Sequence, residues 1–373
     1  MMNAYDTPSP ANIPADSIAK DVAQSIANMD FSAWDSMIAD IIPGISAADI
    51  ARSAADGTLA SNPAALLEAL ANAALLGIRQ LLPFAAMILA LAFIGCMLEQ
   101  MRLNFPGGKT ASSAQTLCFM VTAMPIVGYF SQQLGLCIDS IRRLTAFSNA
   151  AMPSLLALLT ATGSVASAAM LKPAAIASTG LINTVIENGV TALVSLCAAL
   201  AVIGGLNTTF KTSKLLSVVK SVCTWTLTAA LSVFAAVITV QGLGASATDG
   251  VSVRTVRYAI DNYLPVVGGF FKDTYGMLVG SALIIRNAVG ITGAVWIVLL
   301  CCSPLISLAV SILLFKVCAA LIEPVGAERT VTMLGDFAEI FSLLFATLAS
   351  VTAMCIILIG AVIACGNAAM GLI

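Results

Sequence analysis

The 373-residue chain contains no histidine, and only 10% of its residues are charged. Without histidine it cannot form Ser-His or Cys-His nucleophile pairs, and it lacks the commonest metal ligand of proteins. A soluble domain would carry about 25% charged residues. The two shortages therefore argue against the common hydrolase and metalloenzyme sites and against a soluble fold.

Other chemical signatures are also missing from the sequence. All ten cysteines lie beyond residue 95 without CxxC spacing, so we interpret them as small buried hydrophobes. The stretch Gly107-Gly108-Lys109-Thr110 resembles the end of a phosphate-binding loop, but Leu103 stands where that pattern needs glycine. No basic patch with interleaved aromatic residues indicates a nucleic-acid partner. We expect no enzymatic activity, no metal and no cofactor.

What the chain has in abundance is hydrophobic sequence. Its hydrophobic fraction is 59%, its mean hydropathy is +0.99, and several uncharged runs reach the length of a membrane-spanning helix. These runs predict an all-α, multi-pass membrane bundle of seven or eight spans. The predicted spans are Leu81–Leu98, Leu117–Cys137, Ala150–Leu171, Gly189–Leu206, Ser221–Val240, Ala288–Cys302, Pro304–Ile322 and Ile340–Ala364.

The chain divides into two predicted regions. Residues 1–78 carry nine acidic residues against Lys20 and Arg52 and form an acidic head of short amphipathic helices. Residues 79–373 form the membrane domain. The opening residues show none of the features of a secretory leader. Within the membrane domain, the segment Pro173–Leu206 is long for one upright span, and we expect it to begin as an interfacial or re-entrant piece.

A polar insert at about residues 248–275 interrupts this hydrophobic background. Apolar residues recur at helical spacing over Val253–Leu264, with charged residues on the opposite face. Thr248 and Asp249 are predicted to cap this helix, and Pro265 to end it. At about 20 Å the helix is shorter than the bilayer. It is therefore predicted to lie along the membrane surface or to line a protected cavity.

The insert and the residues after it form a candidate polar joint or subunit contact. Arg286 is flanked by apolar residues and is expected to pair with Asp261 or Glu187, because a charge within a span usually faces a partner or a cavity. The candidate site residues are Arg254, Arg257, Asp261, Asn262, Pro265, Gly268, Gly269, Arg286 and Asn287.

A weak internal similarity keeps a second function open. The stretch Met124–Phe130 resembles Leu264–Phe270, and a basic residue, Arg142 or Arg286, follows each. Repeats with interrupted helices build the central site of many transporters. The alternative hypothesis is therefore a self-contained secondary transporter or permease subunit, and a third is a non-conducting scaffold.

The stretch DGVSVRTVRYAIDNYLPVVGGFF, with the later LIIRNAVG and LLCCSPLISL, resembles the stage III sporulation protein AE family. The resemblance covers the chain from about residue 80 to its end. Family members usually carry a secretory leader, which is not evident here. The positions that match the most recognisable family pattern are Asp249, Gly250, Arg254, Asp261, Asn262, Pro265, Gly268, Gly269 and Asn287.

This resemblance implies a multi-pass protein of the mother-cell membrane that surrounds the forespore in an endospore-forming bacterium. The implied partners are other stage III sporulation proteins, including a secretion-type ATPase and ring-forming subunits, together with the lipid bilayer. The implied function is that of a component of a mother cell-forespore channel complex that is required for forespore development. A homo-oligomer is a further expectation.

Overall fold

The fold was analysed in a computed structural model of the chain. It describes residues 79, 82–94, 97, 108–206, 212–263, 268–325 and 328–369, except the side chains of 108–115, 118, 243, 246, 252–254, 256–279, 325 and 366–369. The helices are α1 (Leu82–Ile94), α2 (Gly108–Ala161), α3 (Val165–Leu181), α4 (Thr191–Leu206), α5 (Ser213–Tyr263), α6 (Gly268–Ile322) and α7 (Glu328–Ala369). A π-helix, Ile182–Val190, joins α3 to α4, and a 3-10 turn, Glu323–Val325, follows α6.

The prediction of an all-α membrane protein is confirmed. The described residues contain no strand, and five of their helical segments are long and apolar enough to cross a membrane. These segments are Phe119–Ala161, Val165–Leu206, Ser213–Val251, Gly280–Ile322 and Glu328–Cys365. Short connections join the successive long helices, which makes the bundle antiparallel from α2 to α7. The predicted head, residues 1–78, lies outside the described residues.

Several predicted span boundaries are wrong. The predicted span Ala150–Leu171 is broken by a tight turn at Thr162–Ser164, where Gly163 has a φ of 84°. Glycine adopts this left-handed conformation without the steric cost of a side chain. Conversely, the predicted spans Ala288–Cys302 and Pro304–Ile322 belong to one helix, α6, with Pro304 in its interior. Membrane helices tolerate such a proline when neighbouring helices pack around it.

The expected re-entrant piece after Pro173 is also absent. Helix α3, the π-helix and α4 follow one another without a break, so Val165–Leu206 forms one long apolar rod. In the π-helical part, the amide of Asn188 donates to the carbonyl of Asn183, at 2.8 Å. The wider π-helical turn thus accommodates Asn183, Glu187 and Asn188 without interrupting the helix.

Helix α7 forms the centre of the bundle, because it contacts each of α2, α3, α4, α5 and α6. Towards its N-terminal end it packs into an aromatic cluster, in which the rings of Phe315 and Phe341 lie 4.9 Å apart and those of Tyr129 and Phe315 lie 6.1 Å apart. The Tyr129 hydroxyl and the Ser311 hydroxyl form a hydrogen bond of 2.6 Å. Aromatic pairs of this kind stabilise a core by about 0.5–1.5 kcal/mol beyond the burial of their surface.

Charged residues of the bundle fall into two layers. The first layer contains Asp249 on α5 and Arg286 on α6, both beside the α2–α3 turn. The second contains the ion pair of Arg142 with Glu187, at 2.6 Å, and Lys220, which pairs with acidic side chains of α7. The α7 partners are Asp336, at 2.9 Å, and Glu339, at 2.7 Å.

The separation of these layers is close to the thickness of a membrane along α2 and greater than it along α5. At a rise of 1.5 Å per residue, it is about 30 Å along α2, from Thr162 to Arg142, and about 43 Å along α5, from Asp249 to Lys220. The hydrocarbon core of a bilayer is about 30 Å thick, and spanning helices are commonly tilted. With Arg143 counted in the second layer beside Arg142, Lys172 is the single charged residue between the layers in the described stretches of α2 to α7. We therefore place the hydrocarbon between the two layers.

This arrangement predicts the sidedness of the connections. A reporter joined after Gly163 should lie on one side of the membrane, and reporters joined after Lys214 and Arg329 should lie on the other. Paired reporters, one active only in the cytoplasm and one active only outside it, measure this directly. A reporter after Gly163 that faces the same side as one after Lys214 would contradict the antiparallel order of α2 to α5.

Candidate functional site

The site begins at the α2–α3 turn, where α3 starts without a capping side chain of its own. Ser164 occupies the N-cap position but makes no side-chain capping hydrogen bond. The carboxylate of Asp249 on α5 replaces it. The backbone N–H of Ala166 donates to Asp249 Oδ1, at 2.9 Å, and that of Ser167 donates to Asp249 Oδ2, at 2.8 Å. A residue 82 positions away in the sequence thus caps the helix.

This cap is electrostatically strong because it is buried. Asp249 is only 2% exposed. Hydrogen bonds to a charged group contribute about 1.5–3 kcal/mol each, and the positive end of the helix dipole adds to the attraction. The first-turn N–H groups of a helix have no intrahelical partners, so losing the carboxylate would leave two of them unsatisfied inside the bundle. The carboxylate of Asp249 therefore fixes α5 against the start of α3.

Arg286 on α6 contacts the same turn, and it is completely buried. Its Nη1 donates to the hydroxyl of Thr162, at 3.4 Å. Its Nη2 donates to Asn287 Oδ1, at 3.2 Å, and to the backbone carbonyl of Ile363 on α7, at 3.3 Å. A planar guanidinium can make these diverging contacts together, whereas the ammonium of a lysine is a compact point charge. Arg286 thus joins three parts of the fold.

A close approach of α6 to α7 supports this contact. A Cβ atom added to Gly290, one helical turn after Arg286, would lie 2.6 Å from side-chain atoms of Ile363. Glycine at this position lets the two backbones come near enough for the guanidinium to reach the carbonyl of Ile363. On the α5 side of α7, the Cys365 thiol donates to the carbonyl of Gly242, at 3.6 Å. Near the α2–α3 turn, α7 is therefore packed closely against α6 on one face and against α5 on the other.

We call the set Thr162, Asp249, Arg286, Asn287 and Ile363 the turn clamp. It holds the α2–α3 turn between α5 and α6 and ties it to α7. The clamp contributes charge and hydrogen bonds in an apolar interior. Among the described residues, no three His, Cys, Asp or Glu side chains come together to hold a metal ion. The arrangement of the clamp residues therefore suits a structural contact that couples the positions of several helices.

Beyond the clamp, α5 and α6 continue as a helical hairpin. Helix α5 runs from Asp249 to Tyr263, about 21 Å, and α6 begins at Gly268, about 27 Å before Arg286. We call residues 250–263 of α5 together with residues 268–285 of α6 the α5–α6 hairpin. Since the α2–α3 turn ends at the level of the clamp, this hairpin extends past it. The polar insert of the sequence is therefore a continuation of two membrane helices.

The structure changes the predicted roles of residues in and near the insert. The prediction that Thr248 and Asp249 cap a new helix is wrong, because α5 is continuous from Ser213 to Tyr263. Thr248 instead donates to the Gly244 carbonyl of its own helix, and Asp249 caps α3. The predicted surface-lying helix is accordingly part of α5. The described part of α5 stops at Tyr263, and Pro265, which is predicted to end the helix, lies outside the described residues.

The predicted pairing of Arg286 with Glu187 is wrong. Glu187 lies in the second layer and pairs with Arg142 on α2. Arg286 contacts neutral oxygens on Thr162, Asn287 and Ile363. Its predicted alternative partner Asp261 has a side chain outside the described part.

The remaining candidate residues fall on the hairpin. Arg254, Arg257, Asp261 and Asn262 lie on the last turns of α5, and Gly268 and Gly269 begin α6. Their side chains, and residue Pro265 as a whole, lie outside the described part. The structure brings Arg286 and Asn287 together, while the roles of the other candidates stay predictions.

Sequence reasoning missed two members of the clamp, Thr162 and Ile363. The Thr162-Gly163-Ser164 stretch was hidden inside a predicted span, although a glycine between two hydroxyl residues is a turn signal. Ile363 takes part through its backbone carbonyl, which no side-chain pattern can reveal. The possible internal repeat stays a prediction: Met124–Phe130 lies within the continuous helix α2, and residues 264–267 of its counterpart lie outside the described part.

Comparison with known proteins gives one consistent result. The family model for stage III sporulation protein AE matches residues 45–366. A protein of Bacillus subtilis (strain 168) described as stage III sporulation protein AE is 29% identical over 304 residues, which cover 81% of this chain and 74% of that protein. No solved structure gives a significant match.

The cap makes a direct prediction about stability. Replacing Asp249 with alanine removes both acceptors of the α3 N-terminus, so we expect the free energy of unfolding to fall by about 3 kcal/mol, with Asp249→Asn less severe. Denaturant unfolding of the purified protein in detergent, followed by circular dichroism, measures the change. The matched control is Asp139→Ala, since Asp139 is an exposed aspartate of α2 and should cost less than about 0.5 kcal/mol. Equal effects of the two alanine variants would contradict the capping role.

Proposed function

Because this chain belongs to the stage III sporulation protein AE family and so has a role in sporulation, we propose that it is a membrane-embedded component of a channel complex between mother cell and forespore. In this proposal it resides in the mother-cell membrane and supports forespore development. It assembles there with other stage III sporulation proteins, including a secretion-type ATPase and ring-forming subunits. The bundle of apolar helices supports the membrane part of the proposal.

The observation that carries the mechanism is the burial of Arg286 in the turn clamp. Taking a buried guanidinium away from its hydrogen-bond acceptors costs several kcal/mol, so the contacts of Arg286 with Thr162, Asn287 and Ile363 favour one position of α6. A shift of α6 relative to the α2–α3 turn would break those contacts. The clamp therefore makes the positions of α5 and α6 energetically dependent on the turn and on α7.

The α5–α6 hairpin supplies the other half of the mechanism. It carries the basic and acidic residues of the insert and extends from the side of the bundle where the clamp lies. A partner subunit that binds the hairpin would displace α5 and α6 at their bases, where the clamp couples them to the rest of the bundle. In this proposal the hairpin is the contact with the complex, and the clamp transmits that contact into the membrane.

Variants at the two positions test this mechanism separately. Arg286→Lys keeps the charge but loses the planar fork, and Arg257→Leu and Asp261→Leu change only the hairpin. In an endospore-forming host whose own gene is replaced by this one, we expect each variant to reduce heat-resistant spores, with the block after engulfment. Spore counts and microscopy of engulfed forespores measure this. The control is Lys316→Gln, an exposed residue of α6 in the second layer.

Protein abundance separates a lost function from a lost protein. Each variant is compared at equal amounts in the membrane fraction, measured by quantitative immunoblotting. Normal spore yields from Arg257→Leu and Asp261→Leu at unchanged abundance would contradict the role of the hairpin. A normal yield from Arg286→Lys would contradict the role of the clamp.

Labelling separates a conduit from a non-conducting scaffold. In a variant whose native cysteines are replaced by serine or alanine, a new cysteine at position 257 or 261 should react with a membrane-impermeant thiol reagent in sporulating cells if the hairpin borders an aqueous path. A cysteine at position 286 should stay unreactive, because that side chain is buried in the bundle. Unreactive cysteines at all three positions would favour the scaffold.

A further inference from the structure

An open groove lies between the end of α2 and the start of α3. It encloses about 620 Å³ and starts beside the α2–α3 turn. Most of its wall is apolar, and two of its side chains are strongly exposed, Val165 at 62% and Ile176 at 67%. Leu156 and Pro153 form part of the α2 wall, and Lys172 and Asn149 are its main polar residues. An apolar groove at membrane depth will be filled by lipid or by protein.

Lys172 makes this groove unlike the rest of the lipid-facing surface. It is exposed, and it is the single charged residue between the two charged layers in the described helices α2 to α7. It lies about 12 Å from Ser164 along α3, inside the slab assigned to hydrocarbon. A lysine at the centre of a membrane helix is costly unless it finds a partner or reaches the interface. No carboxylate among the described residues forms an ion pair with it.

The length of the groove indicates what fills it. It extends from Val165 and Thr160 at the turn to Asn149 and Ile176, about 17 Å along the helices. One leaflet contributes about half of the roughly 30 Å hydrocarbon thickness. The groove is therefore close to the length of one acyl chain that enters from the clamp side. A partner helix that crosses the membrane would need a contact surface about twice as long.

Charge decides which lipid fits. The lysine side chain has a flexible four-carbon stem that can extend towards the nearer membrane surface, where lipid phosphates lie. A phosphodiester there would supply the negative charge that the described protein residues do not. A lipid with net negative charge is favoured over a zwitterionic one, because the ammonium of the zwitterionic headgroup repels Lys172.

We propose that the α2–α3 groove is a binding site for an anionic phospholipid, with an acyl chain along Leu156 and Ile176 and the phosphate drawn down from the clamp-side surface towards the Lys172 ammonium, which extends up to meet it. The site is separate from the turn clamp and does not depend on the sporulation role. It would hold one lipid against α2 and α3, the two helices joined by the turn that the clamp contacts.

Lipid binding to the purified full-length chain tests this proposal. Native mass spectrometry in detergent, with phosphatidylglycerol and phosphatidylcholine titrated separately, gives the affinity for each lipid. We expect tighter binding of phosphatidylglycerol, and Lys172→Gln should weaken it about fivefold, the effect of losing one lysine near an anionic headgroup. Lys316→Gln removes an exposed lysine from the second layer and should leave this affinity unchanged.

A second variant tests the groove without changing charge. Ala157 lines the groove and is exposed, so Ala157→Phe should fill it without disturbing the core and should weaken binding of both lipids. Equal affinity for the two lipids, or equal losses from Lys172→Gln and Lys316→Gln, would overturn the proposal. Unchanged binding by Ala157→Phe would also overturn it. So would efficient cross-linking in cells from a Lys172→Cys variant to another protein, because a subunit would then occupy the groove.

Discussion

The fold depends on satisfying a few polar groups where no water is available. The first-turn N–H groups of α3 and the guanidinium of Arg286 both need partners inside an apolar bundle. The carboxylate of Asp249 accepts from the N–H groups of α3. The guanidinium of Arg286 donates to Thr162, Asn287 and the Ile363 carbonyl. Because these partners come from different helices, satisfying them fixes those helices relative to one another. Hydrophobic packing alone would allow many more arrangements.

The clamp also explains why the chain changes character around residue 250. On the bundle side, α5 and α6 are free of charge for long stretches, since they face lipid and α7. On the other side they carry the charged residues of the α5–α6 hairpin, which lies beyond the level of the α2–α3 turn. The clamp stands at this boundary. A single pair of helices can thus be a membrane element over most of its length and a polar element at its end.

The sequence predicts the features that depend on local composition. The all-α membrane fold and the unusual position of Arg286 follow from the uncharged runs along the chain. The partners of Arg286 and Asp249 do not, because they lie in distant parts of the chain. The turn at Thr162–Ser164 is likewise not predicted from the sequence. Its residues carry no charge, so hydropathy continues across it, and the backbone reverses because Gly163 adopts a conformation that other residues resist.

The charged layers resolve an apparent mismatch in length. A segment such as Val165–Leu206 would measure about 60 Å as a straight helix, twice the thickness of the hydrocarbon. Arg142 and Glu187 form an ion pair part of the way along, and this pair marks where the membrane boundary falls on α2 and the π-helix. Beyond it, α2 continues into the aromatic cluster around Tyr129 and Phe341, which buries apolar surface against protein instead of lipid. The same part of α2 also exposes large apolar side chains, such as Met124 at 74% and Leu117 at 62%, so only some of the excess length is used for packing between helices.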